Sequence, residues 1–146
     1  MEENVLQPIP TYKLYKDKAI YLGTFIGGPL VAGYLIAENF KQLGQLGKVK
    51  TTWIISIVST IVIFGGLFLI PNVEKVPNYI IPIIYTGIAQ ILVKKFQEDA
   101  IKAHIETGGQ TFSNWRAAWI GIVGLVILIA IIFIIVLLAN RELLQG

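Results

Sequence analysis

AAWIGIVGLVILIAIIFIIVLLAN, Ala117 to Asn140, runs for 24 residues without a charge. About 20 helical residues, rising 1.5 Å each, span the roughly 30 Å hydrocarbon core of a bilayer, so this stretch is long enough to cross one. Three more uncharged runs precede it: 19 residues from Ala19 to Ala37, 23 from Thr51 to Val73, and 18 from Val76 to Val93. Buried helices of soluble proteins rarely stay uncharged so long, and four such runs in 146 residues are not a soluble pattern.

Composition agrees. Charged residues are 14% of the chain, against about 25% for a soluble domain, and the mean hydropathy is +0.70. There is no cysteine, which excludes disulfides, thiol catalysis and cysteine metal sites. The net charge of +3 fits lysines in loops facing anionic lipid better than it fits nucleic acid.

The runs predict an all-α fold: a single membrane domain, a four-helix bundle with spans at about 19–40, 51–71, 77–94 and 116–140. The first run is too long for the apolar region of a cleaved signal peptide. It holds Gly23, Gly27, Gly28, Pro29 and Gly33, which predicts a kink near Pro29. The third starts after Pro77, a fit for the first position of a helix, and is short for a span unless it continues past Lys94.

The connection at 94–116 predicts such a continuation. Lys94–Glu98, Lys95–Asp99, Glu98–Lys102 and Lys102–Glu106 are opposite charges four residues apart, each supporting a helix by about 0.2–0.5 kcal/mol. Val93, Phe96, Ala100 and Ala103 recur at helical spacing. The third span is therefore expected to run out of the membrane as a cytoplasmic helix over about 94–106, stopped by Thr107-Gly108-Gly109, with Ser113 or Thr111 capping the last helix. Four spans would put both termini on one side. Five Lys and Arg lie on that side and seven on the other, which favours the longer loops inside and the termini outside.

Gly23-x3-Gly27, Gly33-x3-Ala37 and Ala117-x3-Gly121 are small-x3-small patterns that let membrane helices approach closely. With Gly28, they serve packing within one bundle, a homo-oligomer interface or a substrate groove. Ser56, Ser59, Thr60 and Gln90, with Gly23 and Gly27, are candidates to line a pore. Lys95, Asp99, Lys102 and His104 are candidates to contact a partner from a solvated helix face. His104 is the sole histidine, and one histidine with scattered acids makes no metal site. No catalytic motif stands in the chain, and no cofactor is expected. No carboxylate lies mid-span, which argues against proton-coupled export of the small multidrug resistance type.

FIGGPLVAGYLIAENFKQLG (Phe25–Gly44) and HIETGGQTFSNWRAAWIG (His104–Gly121) together resemble small uncharacterised bacterial polytopic membrane proteins. The likeness lies in the Gly-Gly-Pro-Leu helix, the Asn-Phe-x-x-Leu-Gly after it, and the Gly-Gly…Asn-Trp-Arg that leads into a last span. It implies a bacterial inner-membrane protein and no particular activity. The expected function is that of a non-catalytic membrane subunit or adaptor for partner proteins; the alternative is a small homo-oligomeric channel or transporter.

Overall fold

The computed structural model describes residues 8–145. Among them are six helices and no strand: α1 (Asp17–Gly27), α2 (Pro29–Gln42), α3 (Leu46–Leu67), α4 (Ile80–Phe96), α5 (Glu98–Glu106) and α6 (Asn114–Leu144).

The first uncharged run is not one helix. Gly28 adopts φ 81°, ψ −169°, a backbone conformation that costs other residues a steric clash. Pro29 follows at the first position of α2, where its missing N–H is no loss. The chain reverses there. Tyr15, just before α1, donates its backbone N–H to Asn39 Oδ1 at 2.7 Å, and Asn39 Nδ2 donates to the Tyr15 carbonyl at 2.9 Å. A continuous helix would hold residues 15 and 39 about 36 Å apart. α1 and α2 are thus the two arms of a helical hairpin, which corrects the expected single span at 19–40. An uncharged run reports that a segment suits apolar surroundings, not which way it travels.

The hairpin is the core. Ala19, Ile20 and Leu35 are fully or almost fully buried in it, as are Val31 and Phe40. Along α1 lies α6, and the two backbones touch: a methyl on Gly23 would come within 2.9 Å of the Ala117 carbonyl oxygen, and one on Gly27 within 2.7 Å of that of Gly121. Because residue 23 meets 117 and residue 27 meets 121, the two helices run parallel. Against α2 lies α3, antiparallel, with Lys48 over the Phe40 ring, Trp53 edge-on to Tyr34, and Ser56 donating to the Pro29 carbonyl at 2.7 Å. α4 begins near the hairpin turn, where Tyr85 Oη donates to the Phe25 carbonyl at 3.0 Å. It ends at the hairpin mouth, where Gln97 Nε2 donates to the Ile36 carbonyl at 2.9 Å.

The molecule therefore has two ends. The cap end holds the N-terminal segment, the hairpin mouth, α5 and the start of α6. Leu14 N–H reaches the Gln110 carbonyl there at 3.3 Å, and Phe112 N–H the Leu14 carbonyl at 2.9 Å. The far end holds the 68–79 connection and the end of α6, whose 31 residues extend about 46 Å. The N-terminal segment from residue 8 and the C-terminal end of α6 lie at opposite ends of the molecule.

α4 does not continue to residue 106. It stops at Phe96, and Gln97 (φ −130°) sets α5 on a new course. The buried set is Val93, Gln97, Ile101 and His104, whereas Phe96 is half exposed and Ala103 is exposed, so the expected stripe of Val93, Phe96, Ala100 and Ala103 is not the inner face. The polar side chain of Gln97 takes the inner position because two partners await it there.

α3, α4 and α6 turn apolar side chains outward: Ile61, Ile91 and Phe133 are each more than 60% exposed. Two helices, α3 and α6, are long and apolar enough to cross a membrane.

Candidate functional site

The polar groups of the cap end converge on one seam. Asn39 stands at its centre, fully buried, accepting from Tyr15 N–H and donating to the Tyr15 carbonyl and to Gln97 Oε1 (3.3 Å). Gln97 in turn donates to the carbonyl of Ile36 in α2, on that oxygen's second lone pair. One asparagine and one glutamine thereby tie the N-terminal segment, α2 and the α4–α5 joint together. Each group has its partner, as a dry interior demands.

Tyr15 extends the seam to α6. Its hydroxyl accepts from Arg116 Nε at 2.9 Å, and its ring lies tilted by 32° against Phe112 at 4.5 Å, over which the Arg116 guanidinium lies at 4.4 Å. Ser113 caps α6 by accepting Arg116 N–H at 3.2 Å, one of the two caps expected from sequence. Burial pushes the Tyr15 phenol above its ordinary value of 10.0, with Arg116 pulling it partly back. A raised folded value means that stability is complete below pH 10 and declines above it, because the phenolate is worse placed in the fold than in the unfolded chain. The stability advantage of wild type over Tyr15→Phe is therefore expected to shrink as pH rises past about 10. Thermal unfolding of both proteins at neutral and alkaline pH measures it; a constant difference would contradict this account.

His104 does not face solvent. It is 3% exposed, Nε2 sits 2.7 Å from the Gln110 carbonyl, and the ring stacks on Tyr12 at 4.9 Å. A carbonyl only accepts, so Nε2 carries the hydrogen and Nδ1 is left buried with no partner among the described residues. This corrects its place among the partner-contact candidates. The inner face of α5 falls at Gln97, Ile101 and His104 once the helix restarts after the break. Lys95, Asp99 and Lys102 are exposed. Of the four expected ion pairs, Glu98–Lys102 forms at 2.8 Å, the one such bridge among the described residues. It holds Glu98 below the usual carboxylate range and Lys102 above the usual ammonium range. The pairs of Lys94 and Lys95 straddle the Gln97 break and lose the helical register they need.

The pore candidates do not converge. Gly23 and Gly27 are closed against α6. The hydroxyls of Ser56 and Thr60 bond to the carbonyls of Pro29 and Ser56. Gln90 is exposed on the outer side of α4, and Ser56 and Ser59 line the cavity between α3 and α4 without any of the other candidates. Gly28 makes the hairpin turn, Gly33 abuts Ser56, and Gly121 abuts Gly23 and Ile26. Tyr15 and Gln97 were not singled out from sequence; a glutamine on the apolar face of an otherwise solvated helix was the available signal. Comparisons with protein-family models, with curated proteins and with solved structures found no match for this chain.

Proposed function

We propose that this is an integral protein of the bacterial inner membrane, without catalytic activity, that holds a cytoplasmic cap for binding partner proteins. In this reading α3 and α6 cross the bilayer, the shorter α4 (17 residues, about 26 Å) crosses it together with the 68–79 connection, and the α1–α2 hairpin enters from the cap side and returns to it. The outward apolar surface of all three crossing helices supports it, as does the hairpin itself, most of whose side chains are buried and whose open face at Leu22 and Phe25 is apolar. Charge supports it further. Of twelve Lys and Arg, Lys75 and Arg141 belong to the far end and the other ten to the cap end, which the positive-inside rule puts in the cytoplasm. Counting the hairpin as a crossing hid this asymmetry.

The observation that carries the adaptor reading is the contrast between the two faces of α5. Its inner face is anchored through Ile101 and His104, and its outer face presents Lys95 at the joint, then Asp99 and Lys102, to solvent. A charged surface on a fixed element suits specific, electrostatically steered association. A photocrosslinker at Asp99 or Lys102 in native membranes is expected to capture a distinct protein, and Lys95→Glu with Lys102→Glu to reduce capture at Asp99 at least tenfold. Adducts of the chain with itself alone, or capture indifferent to those charges, would count against an adaptor.

A further inference from the structure

α3 and α4 do not pack along each other, and the gap between them is a groove of about 270 Å³ whose floor is α2. The floor residues Pro29, Ala32 and Gly33 are small, which makes the gap deep, and Ile55, Ile63, Ile88 and Leu92 make its walls apolar. From Lys48 to Ile63, α3 rises about 22 Å, more than the ~15 Å of hydrocarbon in one leaflet. The groove thus begins at the cap-side interface and runs to the depth of the bilayer centre. Its mouth is cationic. Lys48 lines it, its Nζ 5.3 Å above the ring of Phe40, and Lys95, outside the lining itself, holds its Nζ 5.5 Å from the ring of Phe96; both rings line the groove, and no carboxylate does.

We propose that the groove is a lipid site: it holds one acyl chain of an anionic glycerophospholipid of the cap-side leaflet, with the phosphate between Lys48 and Lys95. The assignment rests on the membrane reading above. A deep channel with small residues at its base seats a single chain more closely than a convex helix surface does, and two lysines at the headgroup level select for negative charge.

The test is the intact chain reconstituted in vesicles of equal phosphatidylcholine and phosphatidylglycerol, floated to verify insertion, then extracted into detergent for native mass spectrometry. One phosphatidylglycerol per chain is expected to be retained in preference to phosphatidylcholine. Lys48→Gln with Lys95→Gln is expected to reduce that preference, roughly fivefold for each lysine. Ile88→Trp and, as an independent groove-filling variant, Ser59→Phe are expected to abolish retention of either lipid. A floated protein that retains no lipid, that retains lipid regardless of both fillings, that keeps its preference without the lysines, or that appears as a dimer sealed across the groove overturns the lipid site and leaves the membrane reading intact. A protein that does not float overturns both.

Discussion

Asn39→Ala is expected to destabilise the protein by about 3–5 kcal/mol and to open the hairpin mouth. The substitution removes three hydrogen bonds made by one buried side chain and strands the Tyr15 N–H, the Tyr15 carbonyl and Gln97 Oε1 away from water. Each orphaned group costs about 1–3 kcal/mol, and the loss is shared because the groups relax together. Asn39→Asp separates clasping from mere polarity. It keeps an acceptor for Tyr15 N–H but turns a carboxylate oxygen toward two oxygens that need a donor, so it is expected to be nearly as damaging. Reversible unfolding in mixed micelles measures both. A cost below about 1 kcal/mol for either would show that Asn39 is not what closes the hairpin.

Gly27→Leu is expected to be as severe, about 3 kcal/mol or more, for a steric reason. The added carbon would meet the Gly121 backbone, which no rotamer change can move, so α1 and α6 must separate along their length. Gly66→Leu makes the matching control: nothing lies within 4 Å of a carbon added there, and the change is expected to be neutral or mildly stabilising as a helix-breaking glycine is replaced. Size-exclusion profiles and thermal midpoints of the two variants compare them directly. Equal behaviour would mean that the parallel α1–α6 contact does not hold the core together.

Helix content was legible from charge-free runs, because helices in apolar surroundings must exclude charge; α3 and α6 lie where the second and fourth runs predict. The path of the first run was not. Gly27-Gly28-Pro29 reads as a kink, and whether a kink becomes a reversal depends on the positive φ of Gly28 and on a partner for the returning arm. That partner is Tyr15, 24 residues from Asn39, a separation to which helical periodicity is blind. The same limit applies at Gln97. Its neighbours read as a continuous charged helix, and the break comes from long-range bonds to Ile36 and Asn39 rather than from any local stop signal. His104 followed Gln97, since moving the start of α5 by one break rotates which residues face inward.

In the proposed topology the first run is a hairpin entering and leaving by the cap end, so that three helices cross. The chain has no cysteine, which permits single-cysteine variants without background. Lys16→Cys, Lys102→Cys, Lys75→Cys and Gln145→Cys, each treated with a membrane-impermeant thiol reagent on intact cells, report which side each position occupies. Labelling is expected at 75 and 145, with protection at 16 and 102 until the membrane is opened. Labelling of 16 together with 75 and 145 would restore a fourth crossing and contradict it.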